Sequence, residues 1–223
     1  MGGENRVPPY VELHCHSNYS FLDGASFPEE LVARARELGM EALALTDHDG
    51  LYGAVRFWKA AHKQGIKPII GVEMKVEGEG HLVLLAENRA GYTSLCRLIS
   101  QAQLAGSKGN PTLRLEELAR QREGVICLSG CRQGPIARRL LDKDVSGAEE
   151  AASRLLGVFG PDNFWIELSR HYLIEDRFLV GELVELAERV GLEVVATNNV
   201  HYACREKHRL HDLLTCIRNH TTL

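Results

Sequence analysis

The stretch Tyr10-Val11-Glu12-Leu13-His14-Cys15-His16 is a short apolar run that ends in two histidines. The pattern predicts a strand over Tyr10–His14, and residues two apart on an extended chain face the same side. His14 and His16 therefore project together, while Cys15 points the opposite way. Two imidazoles on one face are a ready pair of nitrogen ligands for zinc, manganese or iron. One such pair is often incidental, so its meaning depends on the rest of the chain.

Outward from this stretch, apolar segments of strand length alternate with longer amphipathic segments. Several apolar segments are continuous and rich in Val, Ile and Leu, which is typical of strands buried on both faces of a parallel sheet. The longer segments predict helices, the first of which begins at Ser26 and ends at Gly39. This order predicts an α/β fold, either a β/α barrel or a doubly wound sheet. The predicted strands are Tyr10–His14, Ala42–Thr46, Lys67–Val72, His81–Ala86, Val125–Ser129, Phe164–Leu168 and Glu193–Thr197.

Length, charge and cysteine content narrow the class of protein. The 223 residues suffice for one large domain with a sizeable core. A net charge of −4 argues against an autonomous nucleic-acid binder but allows DNA contacts shared with a neighbouring domain. The six cysteines form no Cys-x-x-Cys pair, which predicts reduced thiols in a cytoplasmic protein. No apolar stretch is long enough to cross a bilayer, so we expect no membrane partner.

Further residues of metal-ligating type follow the ends of predicted strands. The loops at the carboxyl ends of strands converge in barrels and open α/β sheets, so chemistry collects there. His81 is an exception, because it opens its strand. Imidazole, carboxylate and thiol together suit zinc, manganese or iron(II), and their number implies several ions. Clustered ions generate hydroxide and clamp phosphoester oxygens, which favours phosphoester hydrolysis. The residues at strand ends are Asp23, His48, Glu73, Cys131, Asn199 and His201.

At this point the chain resembles the polymerase and histidinol phosphatase (PHP) domain. The resemblance covers Tyr10 to Leu223 and is closer to one branch, the N-terminal domain of bacterial DNA polymerase III alpha subunits, especially the error-prone type. It implies a seven-stranded, distorted β/α barrel similar to a TIM barrel. The strings that carry the resemblance are Glu12-Leu13-His14-Cys15-His16-Ser17, Ser20-Phe21-Leu22-Asp23-Gly24, Leu45-Thr46-Asp47-His48, Gly71-Val72-Glu73, Leu84-Leu85-Ala86-Glu87-Asn88, Ser129-Gly130-Cys131 and Ala196-Thr197-Asn198-Asn199-Val200-His201-Tyr202.

The resemblance also implies a site for up to three ions of zinc, manganese or iron. Glu73 would bridge ions, and Glu73, Asp23 and His48 would take part in catalysis. The family has Asp where this chain has Asn199, so the site loses one negative charge and its metal would be held more weakly. The implied substrate is a DNA 3′ end or another phosphate ester, cleaved by 3′–5′ exonuclease or pyrophosphatase activity. The implied ligands are His14, His16, Asp23, His48, Glu73, His81, Cys131, Asn199 and His201.

Other residues have supporting roles in this interpretation. Asp47 and Asp49 are predicted to hydrogen-bond a metal-ligating imidazole, and Arg132 and His171 to contact a substrate phosphate. The histidine at position 211 receives no role.

We expect three segments in the chain. Residues 1–9 are a disordered lead-in, residues 10–205 form the PHP domain, and residues 206–223 begin the helix that leads to the remaining polymerase domains. Those domains are the expected partners, with other replisome subunits as further candidates.

Two alternatives stay open. The domain is a catalytically weak, metal-stabilised scaffold of the polymerase, which Asn199 favours, or it is a stand-alone histidinol-phosphate phosphatase. Cys131 and the segment Ala86-Glu87-Asn88 argue against the second alternative, because they follow the polymerase branch.

Overall fold

The computed structural model describes residues 10–107 and 109–223, so the predicted lead-in of residues 1–9 lies outside the described residues. It confirms the α/β class. No helix in the described ranges is long and apolar enough to cross a membrane. The strands are β1 Ala42–Leu45, β2 Lys67–Val76, β3 Gly80–Ala86, β4 Val125–Leu128, β5 Phe164–Ser169 and β6 Val194–Thr197. The helices are α1 Pro28–Glu37, α2 Ala54–Gln64, α3 Arg89–Ala105, α4 Leu115–Arg120, α5 Pro135–Leu141, α6 Val145–Phe159, α7 Asp176–Val190 and α8 His208–Arg218, with a 3₁₀ turn at Arg205–Lys207.

The six strands form one curled sheet in the order β1-β2-β3-β4-β5-β6. The segment Tyr10–His14, which is predicted as a strand, does not form a regular strand in this sheet. It and the residues that follow make isolated parallel bridges instead of a ladder. Glu12 bridges to Leu43 of β1, and Cys15 bridges to Val200 beyond β6. The cause is local: the Glu12 carboxylate accepts the backbone N–H of His14 and of Asn198. Those donors are then unavailable to a regular ladder.

The pairing of β3 also differs from a wholly parallel sheet. Strand β3 is antiparallel to both β2 and β4. Only residues 77–79 separate it from β2, with Gly78 at φ +75°, and a parallel crossover needs a dozen residues or more. The reversed strand therefore begins at the edge where the parallel strands end. This explains His81, which opens its strand yet lies diagonal to Glu73, two residues from Val83, the pairing partner of Glu73.

Apolar packing covers both faces of the sheet and leaves polar side chains at one edge. The largest core cluster joins the outer face of β2–β5 to α3, α5, α6 and α7, with Leu84, Leu98 and Leu155 fully buried. A second cluster packs α1 and α2 near β1. Inside the curl, Val83 and Leu128 are buried in a third, small cluster. The sheet is therefore a rigid support for side chains at its carboxyl edge.

Candidate metal centre

A cleft of about 430 Å³ opens at the carboxyl edge of the sheet. The structure brings all nine predicted ligand positions to it, because His14 and His16 contact Glu73 from the buried side of the cleft. The cleft is lined by Asp23, His48, Glu73, His81, Gln133, Cys131, Asn199, His201, Arg218 and Asn219.

Glu73 is the centre of this cluster and is only 2% exposed. Its Oε2 atom lies 3.1 Å from His48 Nδ1, 3.2 Å from His16 Nε2 and 3.5 Å from His14 Nε2. Its Oε1 atom lies 3.2 Å from His81 Nδ1 and 3.9 Å from the sulfur of Cys131. Burial opposes ionisation of Glu73, but the surrounding imidazoles, His14 first, outweigh it and hold the pKa well below its usual range. Glu73 is therefore a carboxylate with five potential ligands around it.

His14 and His16 are fully buried and fixed by partners on their far sides. His14 Nδ1 lies 2.7 Å from Glu167, and His16 Nδ1 lies 3.0 Å from Ser20 Oγ. Both Nε2 atoms then point at Glu73 and stand 3.1 Å apart. We call His14, His16 and Glu73 the inner group. One donor atom of each residue lies within 4.8 Å of the other two, which is close enough for the three to hold one cation.

Protonation of the two imidazoles in the inner group depends on the balance between burial and the neighbouring carboxylates. Burial alone lowers the pKa of His14, but the carboxylates of Glu167 and Glu73 outweigh burial and raise that pKa well above its usual value. Burial dominates at His16 and lowers its pKa to about 3. The His14 imidazolium can thus donate toward the neutral His16 or toward Glu73. A divalent ion binding here must displace that proton.

Asp47 supports this arrangement through a serine. Asp47 accepts hydrogen bonds from the hydroxyls of Ser17 and Ser20 and from the backbone N–H of Ser17. Ser20 Oγ in turn accepts the backbone N–H of His48 at 3.1 Å. The same Ser20 Oγ atom lies 3.0 Å from His16 Nδ1. Asp47 is therefore connected to the His16 imidazole through Ser20 and does not contact it directly. Asp49 has its Oδ1 atom buried without a hydrogen-bond partner in the described part of the chain.

Asp23 organises the outer side of the cleft. Its Oδ2 atom lies 2.9 Å from His48 Nε2 and 3.2 Å from His201 Nε2, and its Oδ1 atom accepts from Arg218. Burial opposes ionisation, but hydrogen bonds from His201 and His48 outweigh it and lower the pKa of Asp23. His201 Nδ1 donates to the backbone oxygen of Asn199 at 2.8 Å, so Nε2 is the ring nitrogen that faces Asp23 and the cleft. Asn199 adopts φ +46°, and its buried Oδ1 has no hydrogen-bond partner among the described residues.

Two predicted phosphate contacts lie apart from the cluster. Arg132 donates to Asp176 at 2.9 Å and to Glu175 at 3.3 Å. His171 is exposed, and its backbone N–H donates to Asp176. Neither residue lines the cleft. Asp176 therefore holds both residues in a separate network beyond the end of β5.

Sequence reasoning missed three residues of the site. Glu167 was visible as a lone carboxylate in the otherwise apolar run Phe164–Leu168, and it is buried against His14 and Thr197. His211 and Arg218 lie on α8, at the far end of the sequence from Asp23, so no local pattern linked them to the site. His211 nevertheless forms a group with Asp23 and His201, in which one ligand atom of each residue lies within 4.8 Å of the other two. The described residues contain four groups of this kind.

The donor set fits a divalent metal. The other three such groups share members of the Glu73 cluster: His14, His16 and Glu73; His16, Asp23 and His48; and His48, Glu73 and His81. Nitrogen and carboxylate donors with one nearby thiol suit borderline transition ions better than magnesium or calcium. Burial, and then the charge of Glu73, raises the pKa of the Cys131 thiol to about 12, so this side chain becomes a ligand only if an ion displaces its proton.

Sequence comparison identifies the family to which the chain belongs. The sequence profile of the PHP domain matches residues 12–171. DNA polymerase III subunit alpha of Treponema pallidum is 43% identical over 222 residues, which cover 93% of this chain and 19% of that protein. Error-prone DNA polymerase of Symbiobacterium thermophilum is also 43% identical, over 230 residues that cover 96% of this chain and 21% of that protein. The chain thus spans about a fifth of the length of these curated relatives.

Solved structures share the fold at low sequence identity. A Bifidobacterium adolescentis protein described as a metal-dependent phosphoesterase has a TM-score of 0.56 and 15% identity, covering 93% of this chain and 97% of its own. Histidinol phosphate phosphatase from Lactococcus lactis, solved with zinc, L-histidinol and phosphate, has a TM-score of 0.51 and 13% identity, covering 94% and 92%. At such identities the likeness concerns the fold alone.

Proposed function

This chain belongs to the PHP domain family, and from that premise we propose that it is the metal-dependent phosphoesterase domain of a bacterial, polymerase III alpha-type DNA polymerase. The two polymerase relatives at 43% identity support the polymerase context. Its partners are then the remaining domains of that polymerase, with other replisome subunits as further candidates, in the bacterial cytoplasm. The error-prone type is one of the two names that these relatives carry.

The observation that carries the metal-dependent activity is the convergence of imidazoles on Glu73. His14 and His16 would hold one ion with Glu73, and His48 and His81 would hold another on the same carboxylate. We propose zinc, manganese or iron, up to three ions in all, since these metals favour mixed nitrogen and oxygen ligands. Such ions supply Lewis acidity: they lower the pKa of water and neutralise phosphoryl oxygens.

The residues of the chain provide orientation and proton positions. Glu167 fixes the ring of His14, and Ser20 fixes the ring of His16, so the inner donors need no rearrangement to bind. His48 lies between Asp23 and Glu73, and the hydrogen bond that His48 Nε2 donates to Asp23 outweighs burial and raises the pKa of His48. Asp23 and Glu73 therefore both favour a proton on His48 beside the cleft. We assign Glu73, Asp23 and His48 to the reacting side of the cleft.

The substrate that we propose is a 3′-terminal nucleotide of DNA, with pyrophosphate as the smaller alternative. A cleft of about 430 Å³ has the size of a small-ligand site and opens to solvent beside His48 and His81. The net charge of −4 provides no electrostatic surplus for long DNA. The domain would therefore act on a chain end delivered by the rest of the polymerase.

The activity can be tested with manganese and a labelled single-stranded oligonucleotide. We expect release of the 3′-terminal nucleotide by the purified chain, and loss of this release in Glu73→Gln. Glu77 is an exposed residue on the same hairpin, and Glu77→Gln makes the same change from carboxylate to carboxamide. This variant should retain the wild-type rate. Equal rates in both variants would contradict a role for Glu73, and no hydrolysis of oligonucleotide or pyrophosphate by metal-loaded wild type would refute the enzymatic proposal.

A structural role is the second candidate, and the outer side of the cleft favours it. Asn199 brings no charge where the family has Asp, and Arg218 already neutralises Asp23. A scaffold would bind metal and gain thermal stability from it without hydrolysing phosphoesters. A metal-dependent rise in Tm with no turnover in the assay above would select this candidate.

We also propose that the segment Glu12–His16 is a degenerate seventh strand that completes a distorted barrel. The bridges Glu12–Leu43 and Cys15–Val200 on its two sides support this view. Hydrogen bonds run from Ala44 N–H to the Glu12 oxygen and from His16 N–H to the Val200 oxygen. Slow amide hydrogen exchange at Ala44 and His16 is expected, and fast exchange at both would contradict closure of the sheet.

A further inference from the structure

Helix α8 reaches the cleft, because Arg218 lines it and His211 contacts His201. None of its residues, all of which the structure describes, is buried, and Leu210, Leu213 and Ile217 remain 41–50% exposed. Its contacts to the domain include Arg218 with Asp23 and the ring of His211 with the ring of His201, 5.3 Å between centroids. The contacts of the helix to the domain therefore include two residues of the cleft, Asp23 and His201.

His211 meets two site residues with suitable donor atoms. One ligand atom each of Asp23, His201 and His211 lies within 4.8 Å of the other two, as in the inner group. His201 Nδ1 donates a hydrogen bond to the Asn199 backbone oxygen, so Nε2 is the ring nitrogen that faces the cleft, 3.2 Å from Asp23 Oδ2. Two imidazoles and one carboxylate form a zinc-type donor set. We call Asp23, His201 and His211 the outer group.

We propose that His211 is a metal ligand, and that the outer group binds a divalent transition ion at the mouth of the cleft. The proposal rests on the metal centre of the proposed function and extends it to α8, a helix beyond the segment that the PHP profile matches. Ion binding would then fix α8 against the domain, since one of three ligands lies on that helix. Asn199 lines the same cleft, and its buried Oδ1 atom lacks a hydrogen-bond partner among the described residues, so this oxygen would be an additional ligand for the ion.

Arg218 opposes an ion at the outer group. Its guanidinium donates to Asp23 Oδ1, while the imidazoles face Oδ2 of the same carboxylate. One oxygen thus remains for a cation, but a nearby positive charge weakens its binding. The outer group should therefore bind its ion more weakly than the inner group, and removal of the guanidinium should tighten binding.

The test is a Co²⁺ titration of the full chain, followed by visible absorption and by competition with a chelating dye. Wild type should show a tight class and a weaker class of Co²⁺. In His211→Ala the weaker class should lose affinity by about tenfold or more, because changes even in groups behind a ligand cost about 10–100-fold. His208→Ala is the matched control, since His208 is on the same helix, is 58% exposed and pairs with Asp212. It should leave both classes unchanged.

Further outcomes separate this inference from the proposed function. Arg218→Ala should tighten the weaker class and leave the tight class as it is. If His211→Ala matches wild type in both classes, with circular dichroism showing an intact fold, His211 is not a ligand and the inference is wrong while the metal centre stands. If wild type binds no Co²⁺ at all, the proposed metal centre itself fails.

Discussion

The inner and outer groups use the same ligand chemistry in opposite surroundings. His14, His16 and Glu73 are at most 2% exposed, and each imidazole is fixed from behind by Glu167 or Ser20. In the outer group only Asp23 is buried, His201 and His211 are partly exposed, and Arg218 competes for the carboxylate. Since the residue types are the same, we expect burial and support to make the inner group bind its ion more tightly than the outer group.

The largest effect should come from the carboxylate of the inner group. Glu73→Gln leaves His14, His16, His48 and His81 around a neutral amide, and breaking a buried charge network costs about 3–5 kcal/mol. We expect the affinity for the tight ion to fall about a thousandfold by the same principle. Metal content after dialysis, measured by plasma mass spectrometry against Glu77→Gln, checks this. Retained metal in Glu73→Gln would contradict the proposal that Glu73 is the central ligand of the metal centre.

A smaller effect should follow from loss of support behind the inner group. Glu167→Gln keeps the shape of the side chain but removes the charge that faces His14 Nδ1. The affinity for the tight ion should fall about 10–100-fold, as for other groups that orient a ligand. Chelator competition measures the change, with exposed Glu193→Gln as the control. An unchanged affinity would mean that burial alone, without the carboxylate, positions His14.

Binding of the tight ion should also depend on pH, because protons occupy His14 of the inner group and the neighbouring Cys131. The pKa of His14 is raised well above normal by Glu167 and Glu73 against the opposing effect of burial, and the pKa of Cys131 is raised to about 12 by burial and Glu73. Ions compete with these protons, so the tight affinity should rise with pH, about tenfold per pH unit for each proton displaced.

Chelator competition at pH 6 and pH 8, with proton release recorded in weak buffer, provides the measurement. An affinity that is independent of pH, with no protons released, would exclude these side chains as ligands.

The smallest effect should appear at the outer group. Asn199→Asp adds a carboxylate beside His201 and keeps a residue that tolerates φ +46°. We expect the weaker ion to bind about fivefold more tightly, in line with about 1 kcal/mol for a partly exposed charge. Asn88→Asp is a charge-matched control, because Asn88 caps α3 and Asp caps equally well. A gain in the tight class instead would place Asn199 with the inner group.

The sequence predicted the inner group better than its surroundings. His14 and His16 are two residues apart, and Glu73 closes an apolar run, so local periodicity sufficed to predict their common edge. Local periodicity did not predict the direction of β3. Strand β2 continues four residues past its predicted end at Val72, so only a hairpin turn is left to connect β2 to β3, and the two strands are antiparallel. The position of His81 follows once the hairpin is known.

Long-range placement explains what sequence reasoning missed. Glu167 was hidden in a strand that reads as core, and its role depends on contact with His14, 153 residues away. Arg218 meets Asp23 across 195 residues. The resemblance predicts that the α8 segment begins the helix leading to the remaining polymerase domains, and nothing local connects His211 to a strand end. Only the folded chain brings these residues together.

Metal content of the chain purified without chelator or added metal tests the central claim most directly. The account predicts about one or more equivalents of zinc, manganese or iron per chain in wild type, and almost none in Glu73→Gln. A folded wild-type protein that contains no such metal, and takes up none on dialysis against zinc or manganese, would contradict it.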